Sequence, residues 1–262
     1  MSRTSAETVL ITGASSGIGL ELARCFAAEK SNLVLVARNR DALEKLASEL
    51  RQQHGITIHV SIADLSKPES AQNLFNELKG RGLTVDVLVN NAGFGLHGEF
   101  TELPLARQLE IIHVNITALV ELTGLFLPPM IHRKSGGILN VGSVAGFLPG
   151  PHMAVYYASK AFVLSYSEAL HEELRGTGVS VTNLCPGPTE SNFSQVARSH
   201  HVRKAQAKKM TAVEVARIGH ADFRSGIHLS VPGAGNNFLT LAAKFLPRNT
   251  VRRLVGKYNQ VK

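Results

Sequence analysis

The chain has no tryptophan, two cysteines and only 6% aromatic residues, and no uninterrupted apolar run approaches the roughly 20 residues that a bilayer crossing requires. Cys25 falls on an expected helix and Cys185 beside a Pro-Gly turn, with neither CxxC nor metal-ligand spacing, so disulfide or zinc chemistry is excluded as the organising device. The opening MSRTSAETVLITG enters an apolar strand at once and shows no signal-peptide h-region with a cleavage site, which leads us to expect a cytoplasmic protein. Acid is scarce at one end. From Arg198 onward, 13 Lys and Arg face only Glu214 and Asp222, whereas the first 197 residues hold 15 basic and 18 acidic residues. The net charge of +8 is therefore a property of the last quarter. Such asymmetry suits an acidic ligand, a membrane surface, a nucleic acid or a solvated face. Nothing resembling an aromatic-rich or helix-turn-helix nucleic-acid module accompanies it, and no nucleic-acid partner is expected.

What is present is alternation. At 262 residues and 44% hydrophobic content, the chain can bury the core of one α/β domain. Short apolar runs at 8–12, 33–37, 56–62, 85–89, 138–141 and 179–184 read as strands, and amphipathic segments between them read as helices. Asp41 with Glu44 fits a capping pair, Thr211 with Glu214 fits a capping box, and long helical patterns run over 67–79, 103–130 and 156–174. This order predicts a doubly wound parallel sheet of about seven strands with helices on both faces. Ligands in such sheets sit at the carboxyl ends of strands.

Three stretches at those ends carry chemistry. The first strand leads into Gly13-Ala-Ser15-Ser16-Gly17-Ile18-Gly19, a glycine turn opening a helix, which aims backbone N–H groups at a pyrophosphate. The second strand ends at Ala37 followed by Arg38. An acid there holds the 2′-hydroxyl of NAD and an arginine accommodates the 2′-phosphate of NADP, so NADP(H) is expected over NAD(H). The third stretch, after the strand at 138–141, supplies Ser143, Tyr156 and Lys160. Residues three or four apart on a helix share a face, so Tyr156 and Tyr157 both stand with Lys160. A free tyrosine has a pKa of about 10. A nearby ammonium is expected to lower it and make the phenol a working acid or base, with Ser143 hydrogen-bonding the substrate oxygen.

Taken together, Thr12-Gly-x-x-x-Gly17-x-Gly19, Asn90-Asn91-Ala92-Gly93, Asn115, Ser143, Tyr156-x-x-x-Lys160 and Pro186-Gly187 resemble the short-chain dehydrogenase/reductase family, over residues 8 to about 192. The resemblance implies a Rossmann-type fold and an NADP-dependent oxidoreductase moving hydride between nicotinamide and a carbonyl or secondary alcohol. It selects Tyr156 over Tyr157 as acid/base, gives Lys160 the tuning of Tyr156 and a contact with the nicotinamide ribose, and has Asn115 hold a water linking Lys160 to solvent. It also implies that Gly13, Ser15, Ser16, Gly17, Ile18 and Gly19 cradle the pyrophosphate, that Asp64 and Leu65 meet the adenine, and that Asn90 lies on the adenosine side. Asn91, Ala92 and Gly93 line the cofactor, and Pro186, Gly187 and Thr189 reach the nicotinamide. The chain looks most like a bacterial, NADP-preferring subgroup of reductase-like members, and a homodimer or homotetramer is the family's habit.

The chain departs from the family where many members carry Val-Asp-Gly-Gly; here Ile227-His-Leu-Ser-Val-Pro-Gly233 precedes about thirty further residues. We expect a dinucleotide-binding and catalytic domain over 1–232, a substrate lid within 191–224, and a basic amphipathic extension over 233–262. His200 and His201 lack companion ligands, and we read them as solvent-exposed. In the extension, Phe238, Leu241, Ala242 and Phe245 form one stripe and Val251, Leu254, Val255 and Tyr258 another, beside Arg248, Arg252, Arg253 and Lys257. Packing onto the site or a second subunit is favoured there over resting on a membrane. The substrate class expected is an apolar ketone or aldehyde, 3-oxoacyl or steroid-like. The alternative reading is an NADP-binding sensor or membrane-associated binding protein, against which Ser143, Tyr156 and Lys160 stand.

Overall fold

In the computed structural model, which describes residues 6–190 and 209–260, each central strand is covered on both faces. Val9, Leu10 and Ile11 of β1 (Thr8–Thr12) have no exposed surface at all. That is why the strands read as continuous apolar runs instead of alternating ones. The alternation continues through α1 (Gly17–Ala28), β2 (Asn32–Ala37), α2 (Arg40–His54), β3 (Ile58–Ile62), α3 (Ser70–Gly80) and β4 (Val87–Asn90). Then come α4 (Leu105–Ile112), α5 (Ala118–Arg133), β5 (Gly136–Val141), α6 (Ala154–Glu173) and β6 (Val179–Leu184). Two-residue strands β7 (Thr189–Glu190) and β8 (Met210–Thr211) pair with each other, and α7 (Ala212–Arg224), β9 (Leu229–Ser230), α8 (Ala234–Phe245) and α9 (Arg248–Asn259) complete the chain.

The seven-stranded sheet runs β3-β2-β1-β4-β5-β6-β9 and is parallel throughout. It is a Rossmann-type sheet. Strand order reverses between β1 and β4, so the loops after those two strands diverge and leave a crevice at their carboxyl ends. Helices α1, α2 and α7 cover one face through Leu22, Phe26, Leu43, Leu50 and Phe223; α3, α5 and α6 cover the other through Leu74, Leu78, Leu122, Phe126 and Leu174. Arg224 fastens the first face, reaching Glu7 and Glu29 while its guanidinium lies 5.0 Å over the Phe26 ring.

Several local expectations change. Asn39 caps α2 by accepting from Ala42 N at 3.0 Å; Asp41 lies inside the first turn, where its charge meets the positive helix end. Asn39 takes the role because it holds the extended backbone a cap needs, at φ −87° and ψ 99°. α3 starts at Ser70 and not at 67, since Pro68 and the left-handed Glu69 (φ 63°) delay it. The capping box of Thr211 and Glu214 forms as expected. The run Leu105–Arg133 is, against expectation, long and apolar enough to cross a membrane, yet it buries Ala118, Leu119, Leu122, Phe126 and Met130 as a core helix. The lid segment with His200 and His201 lies outside the described residues.

The extension does not bury its apolar stripe among the described residues. Phe238, Leu241 and Phe245 are 73%, 56% and 81% exposed, because α8 instead turns Asn236 and Thr240 inward, with Asn236 against Gly187. On α9, Val251 is buried while Leu254 is exposed.

Candidate active site

The glycine turn is built for close approach. Gly13 and Gly17 have φ of 66° and 59°, which other residues rarely adopt. A Cβ on Gly19 would stand 2.3 Å from Asn91 Nδ2 and 2.5 Å from Gly13 O. Ser16, at the start of α1, makes no side-chain cap bond, so the first-turn N–H groups are left for an anion. Thr12 ties this turn to the loop after β4. Its Oγ1 accepts from Asn91 N and Ala92 N, both at 3.0 Å, and donates to Val89 O at 3.2 Å. Asn91 Nδ2 answers by donating to Thr12 O at 2.8 Å and Gly13 O at 3.2 Å.

At the ends of β2 and β3, Arg38 is exposed and makes no hydrogen bond among the described residues. Asp64 accepts from Ser66 N at 3.1 Å and Ser66 Oγ at 2.8 Å. Partial burial works to raise its pKa, but the Ser66 hydrogen bonds and the charges of Arg38 and Lys67 prevail and hold it below the usual carboxylate range. The Leu65 side chain is buried in the core.

Ser143 and Tyr156 meet on the other side of the crevice, with Lys160 on the same helix as Tyr156. Ser143 stands at the end of β5 and begins a 3-10 turn, accepting from Ala145 N at 3.1 Å and donating to Pro186 O at 3.4 Å. The Tyr156 phenol is hydrogen-bonded with Ser143. Lys160, 6% exposed, lies one turn further along α6, with Nζ 3.6 Å from where a Cβ on Gly93 would be. Asn115 sits in the π-helical turn His113–Thr117 between α4 and α5, the kind of irregular turn that often marks a functional site. Its amide donates to Phe94 O at 3.0 Å and Ser159 Oγ at 2.9 Å and accepts from Phe94 N at 3.1 Å. Ser159 Oγ donates in turn to Tyr156 O at 2.7 Å, so Asn115 braces both the Gly93 loop and the first turn of α6.

A family model described as short chain dehydrogenase matches residues 7–201. The chain is a short-chain dehydrogenase. Sulfoacetaldehyde reductase 2 of Chromohalobacter salexigens is 40% identical to it over 192 residues, 72% of this chain and 75% of the relative. A very-long-chain 3-oxoacyl-CoA reductase of Anas platyrhynchos is 30% identical over 257 residues, 96% of this chain and 79% of the relative. A solved short-chain dehydrogenase from Sphingobium yanoikuyae in complex with NADPH superposes with a TM-score of 0.82 at 32% identity, covering 91% of this chain and 93% of the other. Family and relatives make this protein an oxidoreductase acting on C–OH or C=O groups with a nicotinamide cofactor.

Two expectations about this dehydrogenase change with its side chains. Lys160 does not lower the pKa of Tyr156 in this structure: its ammonium donates to Val141 O at 2.7 Å, and burial pushes Tyr156 up to about 12, against the hydrogen bond from Ser143. Burial also brings Lys160 down to about 8. Asn90 does not face the crevice; it is 4% exposed, and its Nδ2 donates to Asn140 Oδ1 at 3.0 Å and Thr123 Oγ1 at 3.3 Å in the core. The Asn115 side chain itself is spent on Phe94 and Ser159. Thr12 was absent from the expected site residues, although a hydroxyl next to the first glycine was the available signal.

Proposed function

We propose that this dehydrogenase is an NADP(H)-dependent carbonyl reductase in which Tyr156 is the proton donor. The observation that carries the reading is the Tyr156 phenol, hydrogen-bonded with Ser143 and set one helical turn from Lys160 at the carboxyl edge of the sheet. The residues on the crevice fit a dinucleotide phosphate: the glycine turn has no room for side chains, the α1 N-terminus is open, and Arg38 stands exposed beside the first turn of α2. Arg38 takes the 2′-phosphate and Asp64 the adenine side; Pro186, Gly187 and Thr189 border the nicotinamide. The cofactor supplies the hydride.

This chain's own residues handle the oxygen. With a pKa of about 12, Tyr156 is a phenol at neutral pH, the form that gives a proton to a developing alkoxide. The Ser143 hydroxyl, oriented by the Ala145 N–H, donates to the same oxygen as its charge grows. Lys160 is mostly charged at neutral pH and, one helical turn along α6, is the group that returns the proton Tyr156 loses. The relatives that reduce sulfoacetaldehyde and very-long-chain 3-oxoacyl-CoA support a carbonyl substrate. An apolar ketone or aldehyde suits the mainly apolar hollow that Leu96, Phe100, Met153 and Val155 line together with Gln108 and His152, from the chain segment that leads into Tyr156. The free Cys25 and Cys185 fit a reducing cytoplasm, and the exposed Leu105 and Leu109 of α4 fit a homo-oligomer. Within this reading 1–232 is the catalytic unit and 233–262 an accessory to it.

NADPH oxidation followed against ketones and aldehydes of graded size tests the proposal, with Tyr156→Phe as control. Turnover lost by about 10²–10⁴-fold in the variant, with NADPH binding retained, supports it; equal rates in the two proteins sink it.

A further inference from the structure

The last helix ends inside the walls of the site. Asn259 closes α9 and is 2% exposed, although Arg252, Arg253 and Leu254 on the same helix stand in solvent. A buried amide at the end of an exposed helix needs a reason, and its partners give one. His97 Nε2 donates to the Asn259 main-chain carbonyl at 2.6 Å, while Asn259 Nδ2 donates to Pro151 O at 2.9 Å and to the Tyr157 hydroxyl at 3.4 Å. The three partners lie in the loop after β4, the loop after β5 and the first turn of α6. Those are the segments that carry Gly93, Ser143 and Tyr156. Gly256 adds contact one turn earlier, where a Cβ would be 3.4 Å from Pro151.

Tyr157 passes the contact inward. Its ring lies so close to Gly150 that a Cβ there would fall 2.1 Å from Tyr157 Cγ, and it meets the Tyr156 ring edge-on at 6.0 Å. Leu96, Gly98 and Met153, next to these anchors in the chain, line a small hollow with Phe100, Ile111, Gln108 and His152.

We propose that Asn259 is a positioning residue for substrate: it locks the loops containing His97 and Pro151, and with them the apolar wall that receives the carbonyl compound, without touching hydride or proton transfer. This rests on the oxidoreductase reading above. It also gives the extension beyond β9 a task, since the contacts span 162, 108 and 102 residues of sequence and no nearer segment makes them.

The test compares full-length wild type, Asn259→Ala, His97→Leu and His97→Gln with NADPH bound. Glutamine retains an N–H for the Asn259 carbonyl and leucine does not. Expected are a KM for the carbonyl substrate raised about tenfold in Asn259→Ala and His97→Leu, the effect of roughly one lost hydrogen bond. kcat should stay within about twofold, the NADPH Kd should be unchanged, and His97→Gln should restore KM. Amide hydrogen exchange should accelerate across 150–153 in Asn259→Ala and across 96–98 in His97→Leu, and at neither in His97→Gln. Unchanged exchange overturns the locking, and unchanged KM or a parallel rise in the NADPH Kd overturns the role in substrate binding. A wild type that turns over no carbonyl compound defeats the parent reading, and hydrogen exchange then still decides whether Asn259 locks the loops.

Discussion

The Lys160 ammonium donates a hydrogen bond to the carbonyl of Val141 at 2.7 Å, while Tyr156, one turn earlier on the same helix, is bonded with Ser143. The acid and its supporting cation are thus held by different partners, and each has its own titration.

The pH profile follows from that separation. Tyr156 stays protonated through pH 10 because its pKa is about 12, whereas Lys160 loses its charge as pH rises through about 8. kcat/KM for carbonyl reduction should be level near neutrality and fall above about pH 8. A profile level to pH 10 would remove Lys160 charge from the mechanism.

Lys160→Met should separate function from stability. Burial lowers the Lys160 pKa from 10.5 to about 8, so its charged form opposes folding by about 3 kcal/mol at pH 7. That penalty is full below pH 8 and disappears as pH rises through 10.5. Removing the side chain also leaves the Val141 carbonyl unpaired at every pH, so the expected signature is relative: against wild type, the inactive variant should gain about 4 °C or more in Tm at pH 7 compared with pH 10. Calorimetry at both pH values checks it.

For cofactor choice, Arg38→Asp places a carboxylate where the 2′-phosphate is expected. KM for NADPH should rise about 10–100-fold while KM for NADH changes little, the range of one charge-assisted hydrogen bond. Equal losses for the two cofactors would show that Arg38 makes no such contact.

Gly19→Ala drives a methyl into Asn91 Nδ2 and the Gly13 carbonyl. Displacing that carbonyl disturbs the whole turn, so fluorescence titration should show NADPH binding weakened by about 100-fold, with stability lower by about 1–3 kcal/mol.

In the core, Asn140 accepts from Asn90 and donates to Ser167 Oγ at 2.9 Å. Asn140→Ala removes both bonds, leaving Asn90 with Thr123 and Ser167 with the Val163 carbonyl, and should cost about 2 kcal/mol in urea unfolding, with the KM for NADPH unchanged.

The sheet and its crevice were legible from sequence because apolar runs and glycine turns are local signals; β1, β2 and β6 begin within a residue of their expected places. The Ser143–Tyr156 bond joins two residues that the motif named. What sequence did not reveal are pairings across distance. Thr12 meets residues about eighty positions away, Asn259 meets His97 across 162, and Asn90 turns inward because Asn140 stands beside it in register. Nor could spacing foretell Lys160, since a carbonyl acceptor such as that of Val141 leaves no mark in a side-chain pattern.

The Thr12 hydroxyl, shared among three backbone groups, makes the phosphate cradle rigid before any ligand arrives. Dinucleotide capture at that end therefore needs no loop-ordering step. On the proposed reading, stopped-flow binding of NADPH is expected to show one association phase whose rate is proportional to concentration and is slowed by salt through Arg38.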